Sequence, residues 1–403
     1  MLNKNNEREL AYIVCVDKIT PMDADRLECA HVGGWNCVVG KGEFRPGSAA
    51  VYFEIDSQLP DVRPFCSMQF LVSKKYKIKS QKIRGVISQG LLVPVSAFGW
   101  VDNEYGVVYV PDEKGFRKAD DESRFVTEKL GVTYAVVEDN IHKARTPDRS
   151  KELARRYPNF FSNPIIRRLM RYDWFRKYIV YVFPTPKKKN RWPSHIAAKT
   201  DVERVQNMMW VLDDKQPYVA TEKVDGSSCS VMAERKAFGR FQYYVCSRNV
   251  VFEDRNQKCF YDSNVYFEMF ERYNLKEIIT QIMKDYDLLN LAIQMEVYGE
   301  GIQKRDYSLK EHRIAVFHMV SNGIKFPMDK TVEICEKYGL PHVAIVDDNY
   351  ILPDTIEELQ EFVEGAPSEI DGGMREGIVF YDKETGQQYF KFVSPNYLLS
   401  YHS

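Results

Sequence analysis

The chain has 403 residues, with 56 Lys and Arg against 57 Asp and Glu and an aromatic content of 13%. That length holds two or three domains with their own cores, while the near-cancelling charge excludes any inference about partners from net charge. The opening MLNKNNERELAYIVCVDKIT lacks the apolar core of a signal peptide and no run approaches the ~20 apolar residues of a spanning helix, so a reduced, intracellular, cytoplasmic protein with no membrane contact is expected from eight scattered cysteines without a CxxC pair or zinc-finger spacing.

The first hundred residues read as short strands broken by turns. Ala11–Val16 is apolar, TPMDAD turns, Trp35–Val39 is a second strand, and GKGEFRPG is a turn-rich loop. Ala49–Ile55 alternates as a third strand and Gln89–Val93 closes the set, a pattern that predicts a small barrel. Between the last two lies SKKYKIKSQKIRG, with Lys74, Lys75, Lys77, Lys79, Lys82 and Arg84. Such a run is either a solvated face or, on a barrel, a phosphate-contacting loop. From Asp102 to about Asp121 the chain is acidic and turn-like.

A composition shift follows at Lys143. From there to Trp192 fifteen basic residues face three acids, with Tyr157, Phe160, Phe161, Tyr172, Trp174 and Phe175 interleaved. Neutralised phosphates release counterions and flat rings offer stacking surfaces, so the segment reads as a nucleic-acid contact. The bland alternative is an inter-domain linker whose arginines pair with the acidic remainder.

The last ~210 residues form a mixed domain. Asp201–Met209 has an N-cap aspartate and apolar residues at 202, 205, 208 and 209, which predicts a helix. A longer helix is expected over Val265–Tyr286. Strands are expected at Tyr218–Ala220, Cys229–Met232, Phe241–Cys246, Ala292–Val297, Ile314–Met319, Gly377–Tyr381 and Gln388–Val393, the last two joined by the hairpin signal DKETGQ.

Within this domain ATEKVDGSS puts Lys223 between Glu222 and Asp225. An amine attacks only when unprotonated, and its pKa near ~10.4 has to fall for it to act at neutral pH. Neighbouring carboxylates alone would raise it, so the pattern makes sense with a cation in the site, such as Mg²⁺ carrying a nucleoside triphosphate. Alone, K-x-D-G is equally a surface turn. It is joined by Ser247-Arg248-Asn249, by Glu296-Val-Tyr-Gly-Glu300, by Phe317, by Glu376-Gly-Ile-Val-Phe380 and by Lys391, each at a strand or its edge.

That ordered set resembles the covalent nucleotidyltransferase superfamily of ATP-dependent ligases and capping enzymes over the C-terminal ~200 residues. More closely, DADRLECAHVGGWNCVVGKGEFRPGSAAVYFEIDSQLP and KIKSQKIRGVISQGLLVP resemble the OB domain of ATP-dependent RNA ligases of the Naegleria/Deinococcus type. AAKTDVERVQN, TEKVDGSS, CSRN and GEGIQKR resemble that family's segments too. The resemblance implies an α+β chain: an N-terminal OB-fold β-barrel (1–110), a linker or basic insert (111–192), and a ligase-type, ATP-grasp-like nucleotidyltransferase domain on antiparallel sheets (193–403). With twelve residues after Lys391, a C-terminal OB domain is not expected.

By the same resemblance the activity is ATP-dependent joining of RNA 3′-OH and 5′-phosphate ends by a monomer, with RNA repair as its setting. Lys223 would take AMP from ATP. Glu296 and Glu376 would hold Mg²⁺ or Mn²⁺. Phe317 would stack on adenine, and Arg248 would meet the nucleotide sugar or the RNA 5′-phosphate. Glu222, Val224, Asp225, Gly226 and Lys391 would line the nucleotide site, with Arg204 a further phosphate contact; Glu300 would assist the metal or only stabilise its turn. One departure stands out: the superfamily's last motif reads Lys-x-Lys, whereas YFKFVS offers Lys391 alone, so another base, for which Lys304 and Arg305 are candidates, would have to serve. The rival readings are a DNA ligase and a non-catalytic RNA-binding protein on a degenerate ligase scaffold.

Overall fold

The computed structural model describes residues 1–2, 8–102, 108–112, 115–118, 124–134, 192–387 and 389–401, with isolated positions between 163 and 175. Apart from Trp192 and those positions, the basic segment 143–192 lies outside the described residues.

Strand Ala49–Phe53 organises the N-terminal unit because both of its faces are buried. Successive side chains point to opposite faces. Ala49, Val51 and Phe53 therefore join one core with Phe65, Leu71, Val93 and Trp100, while Ala50 and Tyr52 join a second with Tyr12, Trp35 and Leu92. The strand pairs antiparallel with Ala11–Cys15 and with Leu91–Pro94. A second antiparallel sheet runs Lys18–Pro21, Leu27–Val32, Trp35–Gly40. The Gln89 N–H donates to Asn36 O at 2.7 Å and the Asp17 N–H to His31 O at 2.9 Å, tying the two sheets into a barrel. All four expected strands are present, and Leu27–Val32 is an additional one. The lysine-rich run forms a turn and the hairpin Gln81–Ile83/Val86–Ser88, with Lys75, Lys79, Lys82 and Arg84 exposed. Where the acidic stretch after Asp102 suggested turns, the backbone makes a meander of Val101–Asp102, Val108–Asp112 and Gly115–Lys118.

The C-terminal unit is two sheets face to face. One has the strand order Glu203–Arg204, Tyr389–Val393, Gly377–Asp382, Pro217–Lys223, Ile345–Ile351. The other runs Val251–Phe252, Phe241–Ser247, Ser227–Arg235, Asn290–Tyr298, Arg313–Ser321, Ile324–Lys325. Apart from the short Glu203–Arg204 pairing, which is parallel, all neighbours are antiparallel. Helices Val265–Arg272, Leu275–Asp285 and Met328–Tyr338 cover the outside of the six-stranded sheet through Leu275, Ile279, Ile282 and Ile334, against Val231, Ile293, Met295 and Val297. Helix Ile356–Glu364 covers the five-stranded sheet through Leu359 and Val363, against Tyr218, Ala220, Ile378, Phe380, Phe390 and Phe392. The alternate residues of the same strands face the cleft, where His318 meets the rings of Tyr381 and Tyr389 at 5.2 and 4.9 Å.

Two helix expectations are corrected. Asp201–Met209 is not a helix: Glu203–Arg204 is a strand beside Tyr389–Val393, followed by the tight turns Val205–Asn207 and Met209–Leu212. The 265–286 pattern is two helices broken at Asn274, whose φ of +48° no helix continues. Among the described residues no helix is long and apolar enough to cross a membrane.

The two units meet at Glu54, which is 1% exposed and accepts from Arg8 Nε and Nη2 at 3.0 and 2.8 Å. Burial pushes this carboxyl up, but Arg8, the terminal amine and Arg204 outweigh it and hold it well below the usual carboxylate range. A depressed pKa contributes stability above the unfolded value near ~4.3, and that stability is lost as pH falls towards the folded value. The thermal midpoint should therefore drop between about pH 5 and pH 3. Glu54→Gln should cost on the order of 3 kcal/mol at pH 7, because Arg8 loses its partner, and should flatten that acid dependence. An unchanged acid slope in the variant would assign the effect to other carboxylates.

Candidate active site

Strand alternation sets the site. Tyr218 and Ala220 face the outer core, so Glu222 follows them outward and Lys223 turns into the cleft at the strand's end. Likewise Phe390 and Phe392 face outward and Lys391 inward, while Met295 and Val297 face the helices and Glu296 the cleft. The two sheets thus bring Lys223, Lys391 and Glu296 together across the gap, although 168 residues separate the two lysines in the chain.

Lys223 Nζ lies 2.7 and 2.8 Å from the two oxygens of Glu376, which precedes the neighbouring strand. Burial alone would lower this amine, but Glu376, Glu296 and Asp225 together raise it. The acids pay for their crowding: burial, with Glu376 and Asp225 adding to it, pushes the Glu296 carboxyl up to about 8 despite Lys223 and Arg248. Among the described residues no group of three or more His, Cys, Asp or Glu forms a ready metal cage. Two cleft carboxylates with an excess of negative charge still fit an octahedral ion that keeps most of its water, since a divalent cation would offset their mutual repulsion and favour the charged form of Glu296 against its burial.

Asp225 is held from two sides. Its carboxylate accepts from Tyr397 OH at 2.8 Å, and its N–H donates to Tyr307 OH at 2.7 Å. Gly226 packs against the strand carrying Glu296, where an added Cβ would stand 2.3 Å from Val297 O. Val224 and the half-buried Phe317 share one apolar cluster with Tyr298, Tyr307, Ala315 and Val343. Arg248, 43% exposed, pairs with Asp201.

The structure also supplies the cations around Lys391. In the parallel register Arg204 stands opposite Lys391. Its guanidinium is buried, and Nε and Nη1 have no hydrogen-bond partner among the described residues. Burial, then Arg204, Lys223, Arg8 and Arg248, drives the Lys391 amine well below its ordinary value. Lys223, Arg8 and Arg248 have carboxylate partners, whereas the buried Arg204 beside Lys391 keeps donors free among the described residues, and these suit phosphate oxygens. Arg204, not Lys304 or Arg305, is therefore the base set beside Lys391. Lys304 is exposed, and Arg305 is committed to Asp371 and to the Tyr307 ring at 4.2 Å.

Of the expected contacts, Glu222 is the one not brought to the cleft. Its side chain lies behind the strand, accepting from Ser368 Oγ and from the Glu369 N–H at 2.8 Å. Glu300 is exposed on its turn. Sequence reasoning missed Tyr307 and Tyr397, whose only signal is that a buried Asp225 needs an acceptor for its N–H and a donor for its carboxylate, and it missed Arg8, which comes from the other unit.

Residues 10–95 match a family model for an OB-fold domain, and residues 216–393 match the RNA ligase family. No curated protein matches the chain in sequence. Among solved structures, the Naegleria gruberi RNA ligase is similar over 98% of this chain and 99% of its own. A mutant with AMP and Mn and the protein with PPi each match at 26% identity and a TM-score of 0.71. A second mutant, with ATP and Mn, matches at 25% identity and a TM-score of 0.70, with the same coverage.

Proposed function

The chain belongs to the RNA ligase family with an N-terminal OB-fold domain, and from that premise we propose that it uses ATP and Mg²⁺ or Mn²⁺ to seal RNA 3′-OH ends to 5′-phosphate ends. The observation that carries the reading is the convergence of Lys223, Glu296, Glu376 and Lys391 in one cleft. In the first step Lys223 Nζ attacks the α-phosphorus of ATP; a P–N bond forms, the bond to pyrophosphate breaks, and Glu376 is the acceptor nearest to the proton the amine gives up. An RNA 5′-phosphate oxygen then displaces the lysine, and the RNA 3′-OH finally displaces AMP. Three displacements replace one hard step.

Glu296 and Glu376 would hold the divalent ion, which when bound neutralises charge on the α-phosphate and its surroundings. Arg204 and Lys391 would meet the phosphates, and Val224 and Phe317 the adenine. Asp225 fixes the turn that follows the nucleophile, with Gly226 behind it. Arg248 would meet the RNA 5′-phosphate, because beside it a groove of about 1480 Å³ runs past Lys258, Phe260 and Tyr261, offering rings and a cation to a strand. The ligase is taken to act as a monomer, and eight cysteines scattered along the sequence without a CxxC pair fit a reducing, intracellular setting.

The test is to incubate the protein with α-labelled ATP and a divalent metal: label stays on the denatured wild type, and RNA with a 5′-phosphate chases it off. A protein that binds RNA and never takes label would overturn the proposal. Phe317→Ala should raise the ATP concentration for half-maximal labelling by about 10- to 100-fold, the worth of one ring stacked on a base. Unchanged ATP dependence would move the adenine elsewhere.

A further inference from the structure

The amide of Asn207 makes four hydrogen bonds at the junction of the two units. Nδ2 donates to Glu203 Oε1 at 2.7 Å and to Glu54 Oε1 at 3.1 Å. Oδ1 accepts from Tyr12 OH at 2.9 Å and from Trp35 Nε1 at 2.8 Å. The indole N–H can only donate, so Trp35 fixes which way the amide faces, and the side chain's full capacity of two donors and two lone pairs is used. Three of the four partners, Glu54, Tyr12 and Trp35, belong to the barrel, and each is no more than 2% exposed. Around them the backbones touch: the Gly34 N–H donates to Gln206 O at 3.0 Å, and a Cβ on Gly34 would stand 2.8 Å from Gln206 Cα.

Arg204, three residues before Asn207, runs beside Lys391 and lays its guanidinium over the Trp35 ring at 5.5 Å. One wall of the barrel therefore supports both the lock and the cation that stands in the phosphate site. The buried Arg204 leaves Nε and Nη1 unpartnered among the described residues; what holds it in place is the Trp35 ring and a backbone anchored at Glu203 and Asn207.

We propose that Asn207 is a positioning residue whose bonds to Trp35 and Tyr12 fix Arg204 beside Lys391 for the phosphates of ATP. This rests on the reading of the site as one that adenylylates Lys223. Without the Asn207 amide, the turn 205–207 loses its tie to Trp35 and Tyr12, and Arg204 loses its fixed orientation towards the phosphates. Orientation of ATP matters most in the step that expels pyrophosphate. Joining of RNA that already carries AMP on its 5′ end has no pyrophosphate to orient.

The experiment compares wild type, Asn207→Ala, Arg204→Ala and the double variant in two assays: lysine labelling by ATP, and joining of pre-adenylylated RNA. Asn207→Ala should slow labelling by about 10- to 30-fold and joining by less than about 3-fold. The double variant should label no more than about 2-fold slower than Arg204→Ala, because coupled residues are non-additive. Trp35→Phe keeps the ring and loses the donor. It should show a smaller loss of the same kind, and it carries the test if Asn207→Ala does not fold. Multiplicative losses in the double variant, or equal losses in both assays, would overturn the proposal. A wild type that takes no label would instead overturn the reading of the site.

Discussion

Lys223→Ala takes no covalent adenylate from ATP and seals RNA with an ordinary 5′-phosphate at least ~10⁴-fold more slowly than wild type, the scale seen when a nucleophile is removed from a covalent mechanism. Lys223→Arg behaves the same way, because a guanidinium stays protonated and cannot attack phosphorus. Both variants should still join RNA that arrives pre-adenylylated, since Glu296, Glu376 and Arg248 remain and the last displacement needs no amine. The measurement pairs α-label retained on denatured protein with a joining assay on the two RNA substrates. Label surviving in Lys223→Ala would move the nucleophile to another residue. Loss of joining on the pre-adenylylated substrate would mean that Lys223 also holds the RNA end, or that Glu376, deprived of its partner at 2.7 Å, has moved.

The residues that alternate along long strands were legible without coordinates. Glu296, Phe317 and Lys391 each sit on a strand expected from its apolar residues, and Lys223 lies just past another; that the four share one site was implied by the resemblance and not by the period. The helix expected at 201–209 failed for a physical reason. Its apolar spacing is real, but Val205 serves a core built from distant strands, and the backbone of Glu203 and Arg204 finds its partners on Phe390 and Lys391 instead of four residues away. The same misreading put Arg204 on a helix. As a strand residue it is buried beside Lys391. Glu222 was assigned to the nucleotide site through the resemblance; the strand period turns its side chain to the face opposite Lys223. The Asn207 contacts had no local signal at all, because Glu54, Tyr12 and Trp35 lie 153, 195 and 172 residues away.

Gly226→Ala tests the other half of the geometry, the closeness of the turn after Lys223 to the strand that carries Glu296. Ser227 pairs with Val297 and Ser228 with Glu296, so Gly226 approaches that strand at the last rung of the ladder. A Cβ there would lie 2.3 Å from Val297 O, 2.8 Å from Glu296 Cγ and 3.1 Å from Val297 C. Two of these are backbone atoms held in a sheet, so the strand has to move instead of a flexible side chain. Forced overpacking of this kind costs about 3 kcal/mol, and a displacement near 1 Å at a reacting centre costs about 10²-fold in rate. Gly226→Ala should therefore lower the denaturant midpoint and also slow lysine labelling about 100-fold under conditions where the protein remains folded. Gly239→Ala provides the contrast, since its Cβ meets nothing within 4 Å and only its φ of +70° is strained. That variant should cost about 1 kcal/mol and label at the normal rate. If Gly226→Ala unfolds earlier yet labels normally while folded, the turn is free to shift without carrying Glu296, and the metal carboxylate is not positioned from this side.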